Sequence, residues 1–211
     1  MGCVETAAIA HLLQPFIELD EMRLRAISTY IDLLLKWNSR INLTAIRDPS
    51  EIVQRHFGES LFAAQFMLTQ KSVATAIDLG SGAGFPGVPL AMLAPDVQVT
   101  LIESQQKKAT FLKELIYALG LRNLKVFSDR AESYPATADL VMLRAVERFE
   151  QALTMAVRLA KAGGRIALMI GSGQVELARK LGIGVNWSDP VQIPGGHSRE
   201  LLVGTRPVKV E

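Results

Sequence analysis

Hydrophobic patterning changes character near residue 70. Before that point apolar residues recur at helical spacing: Leu19, Met22, Ala26, Ile27, Tyr30, Ile31 and Leu34 fall on one face. Lys36, Asn38, Ser39 and Arg40 break the stripe and read as a connection. Asp48-Pro49 then offers a cap and a first-turn proline, with Glu51 in the first turn. That helix carries Ile52, Val53, His56 and Phe57 and is expected to bend or stop near Gly58. A further apolar run over residues 61–68 completes a helical N-terminal stretch.

Beyond residue 70 short apolar runs alternate with helical patterns. Residues 73–79, 97–102, 124–127, 139–143 and 165–170 read as strands. Residues 88–93, 105–119, 149–160 and 175–181 read as helices, and Gly120 stands where a C-terminal cap belongs. Residues 128–138, broken by Pro135, leave no room for a long helix. Two last strands, near 191–193 and 201–205, flank Pro194-Gly195-Gly196, a connection short enough for antiparallel neighbours. The pattern predicts an α/β fold with a mostly parallel sheet, helices on both faces and an antiparallel end. Residues 1–70 are expected to form a helical extension packed on a core of residues 71–211. In such open sheets the ligand lies beyond the carboxyl ends of the strands.

Composition narrows the function classes. The chain has 211 residues, enough for one sizeable core plus an appendage, and its 49% hydrophobic content is ordinary for a globular protein. One cysteine, Cys3, allows no disulfide within the chain, and a cytoplasmic location is expected. No basic-then-apolar leader is read, and no run approaches the ~18 apolar residues needed to span a bilayer. A net charge of +2 permits a polyanionic partner without requiring one. The histidines His11, His56 and His197 give no metal-ligand spacing with a single cysteine, so no metal is expected. Neither an NTPase phosphate loop nor a G-x-S-x-G nucleophile turn occurs. His56, on an otherwise apolar face, reads as a packed structural residue.

The chemistry concentrates at strand ends. After the first predicted strand come Asp78-Leu79-Gly80-Ser81-Gly82-Ala83-Gly84-Phe85-Pro86-Gly87, a strand–loop–helix passage whose bare backbone can approach a ligand. Gly82 to Gly87 satisfies G-x-G-x-x-G, which leaves a pyrophosphate nucleotide open. Asp78 favours a cationic cofactor such as S-adenosylmethionine, because a carboxylate at that strand end attracts a sulfonium and repels a pyrophosphate. A tight turn without ligand is the bland alternative. Glu103 follows the loop by about twenty residues, the distance at which an acid reaches ribose hydroxyls; otherwise it is a solvated strand end. Arg130-Ala131-Glu132 either reads an adenine edge or forms a capping turn. Arg144 either fixes a cofactor carboxylate or RNA phosphate, or pairs at the surface with Glu147.

These residues resemble the class I S-adenosylmethionine-dependent methyltransferases. Trp37-Asn38, Asn42-Leu43-Thr44-Ala45-Ile46-Arg47-Asp48, Arg55-His56, the loop with its extension Val88-Pro89-Leu90, Arg130-Ala131-Glu132 and Arg144-Ala145 follow the order of one family within them. That family is the bacterial ribosomal RNA small subunit methyltransferase G family, also known as glucose-inhibited division protein B. The resemblance covers nearly the whole chain. It implies a Rossmann-like fold with a seven-stranded sheet. It implies a monomer that methylates a guanosine in the 530 loop of 16S rRNA to 7-methylguanosine, on naked rRNA or the small ribosomal subunit. It implies cofactor contacts at Gly80, Phe85, Ala131, Glu132 and Arg144, beside Asp78, Gly82, Gly84 and Glu103. Guanine N7 carries no proton, so no proton-abstracting catalytic residue is expected. Glu59, Ile170 and Glu200 depart from the residues usual in the family. Lys36, Arg40, Arg47, Arg55, Arg144, Arg148, Arg199 and Arg206 are the candidate phosphate contacts; solvated helix faces are the alternative. A nicotinamide-dependent oxidoreductase, a small-molecule methyltransferase and a non-enzymatic ribosome-assembly factor are the competing readings.

Overall fold

The computed structural model describes residues 4–145, 148–182, 184–195 and 198–208. Cys3, Glu147, Gly196 and His197, which entered the readings above, lie outside the described residues. Strands β1 (Thr75–Leu79), β2 (Gln98–Ile102), β3 (Leu124–Phe127), β4 (Ala138–Arg144), β5 (Ala160–Gly171), β6 (Asn186–Trp187), β7 (Val191–Gln192) and β8 (Arg199–Thr205) form one sheet. Its order is β3-β2-β1-β4-β5-β8-β6, with β7 also on β8. The pairs from β3 through β5 are parallel, and β8 runs antiparallel to β5, β6 and β7. The short β6 and β7 pair with opposite ends of the same β8, Thr205 and Leu201, so they share one lane of a seven-lane sheet. The pattern reading missed β6, whose two residues carry no alternation to detect.

Alternation along the strands divides the interior into two cores, as the pleat requires. Ala76, Val99, Leu101, Leu140 and Met142 face one side, with α5 (Gly87–Leu93) and α6 (Gln106–Leu119) packed on them. Ile77, Ile102, Val141, Leu143, Ile166 and Leu168 face the other, against α7 (Phe149–Leu159) and α8 (Val175–Leu181). Strand order reverses between β1 and β4, which opens a crevice at their carboxyl ends. β5 begins before the 165–170 strand read from the pattern, and residues 163–164 form a bulge inside it: Ala160 pairs with Ala138, and the register resumes at Arg165 with Leu140.

The N-terminal helices join the first core. α1 (Thr6–Leu13) and α2 (Glu21–Asn38) contribute Ile9, Leu13, Leu24, Ile27, Tyr30, Ile31 and Leu34 to it. Asp20 caps α2 by accepting from the Arg23 amide at 2.8 Å. Met22, placed on the buried stripe by the pattern, is exposed, and Leu24 takes that role. α3 (Pro49–Glu51), a π-helical stretch (Ile52–Gly58) and α4 (Glu59–Gln70) run on without a break. The helix therefore does not stop at Gly58. Glycine is there because a Cβ would lie 2.6 Å from the Phe16 ring.

Helix α2 also touches the glycine loop. The buried Tyr30 hydroxyl donates to the Ala83 carbonyl, and its ring stacks on Phe85 at 5.1 Å. Gly84 has φ +94°, and a Cβ there would sit 2.4 Å from the Tyr30 oxygen. Gly84→Ala is therefore expected to lose about 2–4 kcal/mol in urea denaturation, from backbone strain and overpacking together. Tyr30→Phe in the same chain is expected to recover part of that loss, since the clashing oxygen is gone. Equal losses in the two Gly84→Ala backgrounds would contradict this packing.

Candidate functional site

Two lobes of one cleft lie over the carboxyl ends of β1, β2 and β4. The larger, of about 620 Å³, is walled by Gly80 to Ala83 and Phe85 of the glycine loop, by Asn42 to Ile46, and by Arg55, His56, Arg144 and Arg199, while Gly84 packs behind it against Tyr30. The smaller, of about 320 Å³, is walled by Leu79, Ile102, Ser104 and the turn from Asp129 to Glu132. Gly80 and Glu103 line both. An elongated ligand lying across the two lobes passes Glu103 at its middle, where a ribose between a base and an amino-acid tail would fall.

Local structure fixes each wall. Gly80, Gly82 and Gly84 all have positive φ, a backbone that side-chain-bearing residues rarely adopt. Glu103, only 6% exposed at the end of β2, accepts from the Gly82 amide at 2.9 Å and the Gln105 amide at 2.8 Å. Ala131 and Glu132 sit on a 3₁₀ turn (Ala131–Ser133) whose carbonyls are held by the Arg158 guanidinium at 2.7 and 3.0 Å.

Asp78 is placed differently from its sequence reading. It lies behind the loop, 1% exposed, and its Oδ2 accepts from the Gly87 amide at 3.0 Å. Its Oδ1 is buried without a partner among the described residues. Burial pushes this carboxyl up to about 7, against the opposing pull of the Gly87 hydrogen bond. This position answers the G-x-G-x-x-G alternative. A pyrophosphate needs the amides opening α5, and one of them already serves a carboxylate. The orphaned oxygen under a glycine cradle suits a ligand carrying positive charge and no phosphate.

Arg144, ending β4, is buried rather than at the surface. Its Nη2 donates to Glu59 Oε2 at 2.9 Å and to the Arg55 carbonyl, and its Nη1 lies 3.1 Å from His56 Nδ1. Its partner is thus Glu59, eighty-five positions away, which no local spacing reveals. Among the described residues nothing accepts from the Nε–H or the second Nη1–H, which are placed to serve a ligand. Ala145 follows with φ 50°, a strained residue in the cleft wall. His56 is packed, as its apolar surroundings suggest, but it also lines the cleft: its ring stacks on Phe85 at 4.9 Å and its Nε2 lies 2.8 Å from Thr44 Oγ1. The sequence reading missed that polar edge and the roles of Thr44, Tyr30 and Glu59. Family-like motifs around Asn42 to Asp48 were the signal that could have found Thr44.

Of the candidate phosphate contacts, Arg55, Arg144 and Arg199 line the large lobe together with Lys108, and Arg148 lines the small one. Arg206 does not belong at the cleft mouth. It donates to the Ala160 carbonyl at 2.6 Å, at the start of β5 and so at the end of the strands away from the cleft. Lys36, Arg40 and Arg47 fall outside the residues lining the cleft. Among the described residues no group of three or more metal-ligating side chains occurs, and no helix is long and apolar enough to cross a membrane.

Burial and the Arg144 guanidinium press the His56 imidazole down to about 3. An imidazole near 6.5 when unfolded and lower when folded stabilises the fold fully above pH 6.5, and that contribution is lost as pH falls toward 3. His56→Phe, which keeps the stack on Phe85, is expected to flatten the acid limb of the stability curve by an amount on the order of 4 kcal/mol. Denaturation midpoints compared between pH 7 and pH 4 check this, and parallel curves for both proteins would refute it.

Comparison with known proteins agrees with this geometry. A family described as rRNA small subunit methyltransferase G (GidB) matches residues 23–183. The chain is 38% identical over 200 residues to ribosomal RNA small subunit methyltransferase G of Roseiflexus castenholzii, covering 89% of this chain and 85% of that one. Among solved structures, a ribosomal protein L11 methylase from Lactobacillus delbrueckii subsp. bulgaricus superposes with TM-score 0.61 at 12% identity, over 73% of this chain and 79% of that one. A SAM-dependent methyltransferase from Aquifex aeolicus superposes with TM-score 0.58 at 19% identity, over 75% and 94%. The fold is the Rossmann-like methyltransferase fold, and the chain belongs to the rRNA small subunit methyltransferase G family.

Proposed function

We propose that this protein transfers a methyl group from S-adenosylmethionine to N7 of a guanosine in the 530 loop of 16S rRNA. The single observation that supports this most is the shared wall at Glu103, which joins a small lobe lined by Ala131 and Glu132 to a large lobe lined by the glycine loop and Arg144. In this reading Glu103 accepts from ribose hydroxyls, and the 131–132 backbone meets the adenine. Gly80, Gly82, Gly84 and Phe85 form the cradle. The free Arg144 donors hold the carboxylate, and Asp78 supplies negative potential from behind. Residues 1–70 are the helical extension that completes the wall facing the RNA, and 71–211 the cofactor-binding core.

When bound, S-adenosylmethionine supplies an electrophilic methyl group: the N7 lone pair forms the new N–C bond, the C–S electrons stay on sulfur, and no proton leaves. The chain's residues therefore orient and desolvate. Arg55, Lys108 and Arg199 at the large lobe anchor phosphates, and Phe85, His56 and the buried base of the loop keep water from the cradle. A small ribosomal subunit or its naked rRNA serves as substrate, with the target base drawn out of its stack.

The deciding assay incubates the protein and S-adenosylmethionine with small subunits from cells lacking the modification. Mass spectrometry of the 530 loop is expected to show 7-methylguanosine, and an unmodified loop would overturn the proposal. Glu103→Ala is expected to weaken S-adenosylmethionine binding by about 10- to 100-fold in calorimetry, the loss of charge-assisted hydrogen bonds. NAD is expected to give no heat. Cofactor affinity is also expected to fall as pH drops below about 7, where Asp78 takes up its proton, and Asp78→Asn is expected to abolish that dependence.

A further inference from the structure

We infer that the Thr44 hydroxyl selects guanine over adenine by donating its proton to O6 of the target base, in a direction dictated by the Arg144–His56 contact. This rests on the reading of the cleft as a guanine-N7 methylation site. It concerns a residue to which that reading gives no role.

The direction of the proton follows from donor and acceptor counting. Arginine has only donors, so His56 Nδ1, 3.1 Å from Arg144 Nη1, must accept. A neutral imidazole with an accepting Nδ1 carries its proton on Nε2. Burial and the same guanidinium keep the ring neutral. The Nε2–H then donates to Thr44 Oγ1, 2.8 Å away. The Ile46 amide donates to the same oxygen at 3.1 Å. Both lone pairs of the hydroxyl are thereby filled, and its own proton must leave along the one remaining tetrahedral direction. Among the described residues no protein acceptor takes it. Thr44 lines the large lobe, the space in which a bound base can accept that proton.

The oxygen itself is fixed. Buried Asn38 grips the Thr44 backbone from both sides, its Oδ1 accepting from the amide at 3.0 Å and its Nδ2 donating to the carbonyl at 2.9 Å. His56 stacks on Phe85, so this donor stands beside the end of the glycine loop. A purine whose N7 faces the cofactor turns its adjacent position 6 to the same wall. Guanine presents an O6 acceptor there and adenine an N6 donor. A hydroxyl able to donate only therefore meets an acceptor in guanine and a second donor in adenine.

Two measurements test the inference. In the first, small subunits carry either guanine or 2,6-diaminopurine at the target position; the latter replaces O6 by an amino group. The wild-type protein is expected to favour guanine by about a hundredfold or more in kcat/KM, as sites built around a hydrogen bond do. In Thr44→Val, of the same shape without the hydroxyl, the ratio is expected to collapse to a few-fold. Thr44→Ser is expected to restore it, and S-adenosylhomocysteine affinity is expected to stay unchanged in both variants. A preserved ratio in Thr44→Val overturns the inference and leaves the proposed activity standing. No transfer to guanine by the wild-type protein overturns both. The second measurement, nitrogen NMR of the His56 ring in the wild-type protein, needs no catalysis. A proton on Nε2 is expected, and a proton on Nδ1 overturns the inference.

Discussion

The buried pair between Glu59 and Arg144 holds the two halves of the cleft together. Arg144 ends β4, and Glu59 opens α4 of the N-terminal helices; their side chains are 8% and 4% exposed. Removing both charges from water is costly, and one salt bridge seldom compensates. Here the guanidinium also reaches the Arg55 carbonyl and His56. The Arg55 carbonyl lies within the π-helical stretch of residues 52–58. A π stretch widens the turn and frees carbonyls from the usual ladder, a common device at functional sites. Loss of either charged partner would leave the other buried alone, a penalty of about 3–5 kcal/mol located at the cleft wall. The helical N-terminus is thus structurally part of the site and not an attachment to it.

The glycine loop depends on the same arrangement. It is held at three points: by the Tyr30 hydroxyl of α2 on the Ala83 carbonyl, by Glu103 just after β2 on the Gly82 amide, and by Asp78 of β1 on the Gly87 amide. Phe85 sits between Tyr30, Phe57 and His56, with ring centroids 4.9 to 5.1 Å away. Bare backbone bent into positive φ has little intrinsic preference for one shape, so these outside contacts give the cradle its rigidity. A buried carboxylate is the cost, visible in Asp78 being pushed up to about 7.

This explains what could be read from the sequence. Short-range signals were legible: the strand runs, the Gly120 cap in the left-handed conformation, the glycine loop, and the spacing that put Glu103 at the end of β2. Each depends on residues close together in the chain. Long-range pairings were not legible. Nothing near Arg144 marks Glu59 as its partner, and nothing near Tyr30 marks the loop fifty-three residues on. Asp78 shows the limit between these cases. Its place at a strand end was clear, but whether the carboxylate faces the cleft or the helix behind depends on the loop's path. His56 was legible as packed and illegible as polar, since its stack on Phe85 and its bond to Thr44 arise from different elements.

The distribution of charge limits how the proposed reaction, which moves no proton, can be accelerated. Glu103 stands at the junction of the lobes and Asp78 behind the glycine loop, and the cations Arg55, Lys108 and Arg199 stand around the large lobe. In the proposed reaction positive charge leaves the side of the carboxylates and arrives on the base, closer to the arginines. That shift is electrostatically unfavourable for the protein's fixed charges, so little of the acceleration can come from them. It must come from alignment: a rigid cradle, a ring of packed aromatics and a base gripped through its phosphates. A site of that kind needs many fixed contacts and no single indispensable acid or base. The interlocked side chains around Arg144 and Phe85 are what such a reaction asks of a protein.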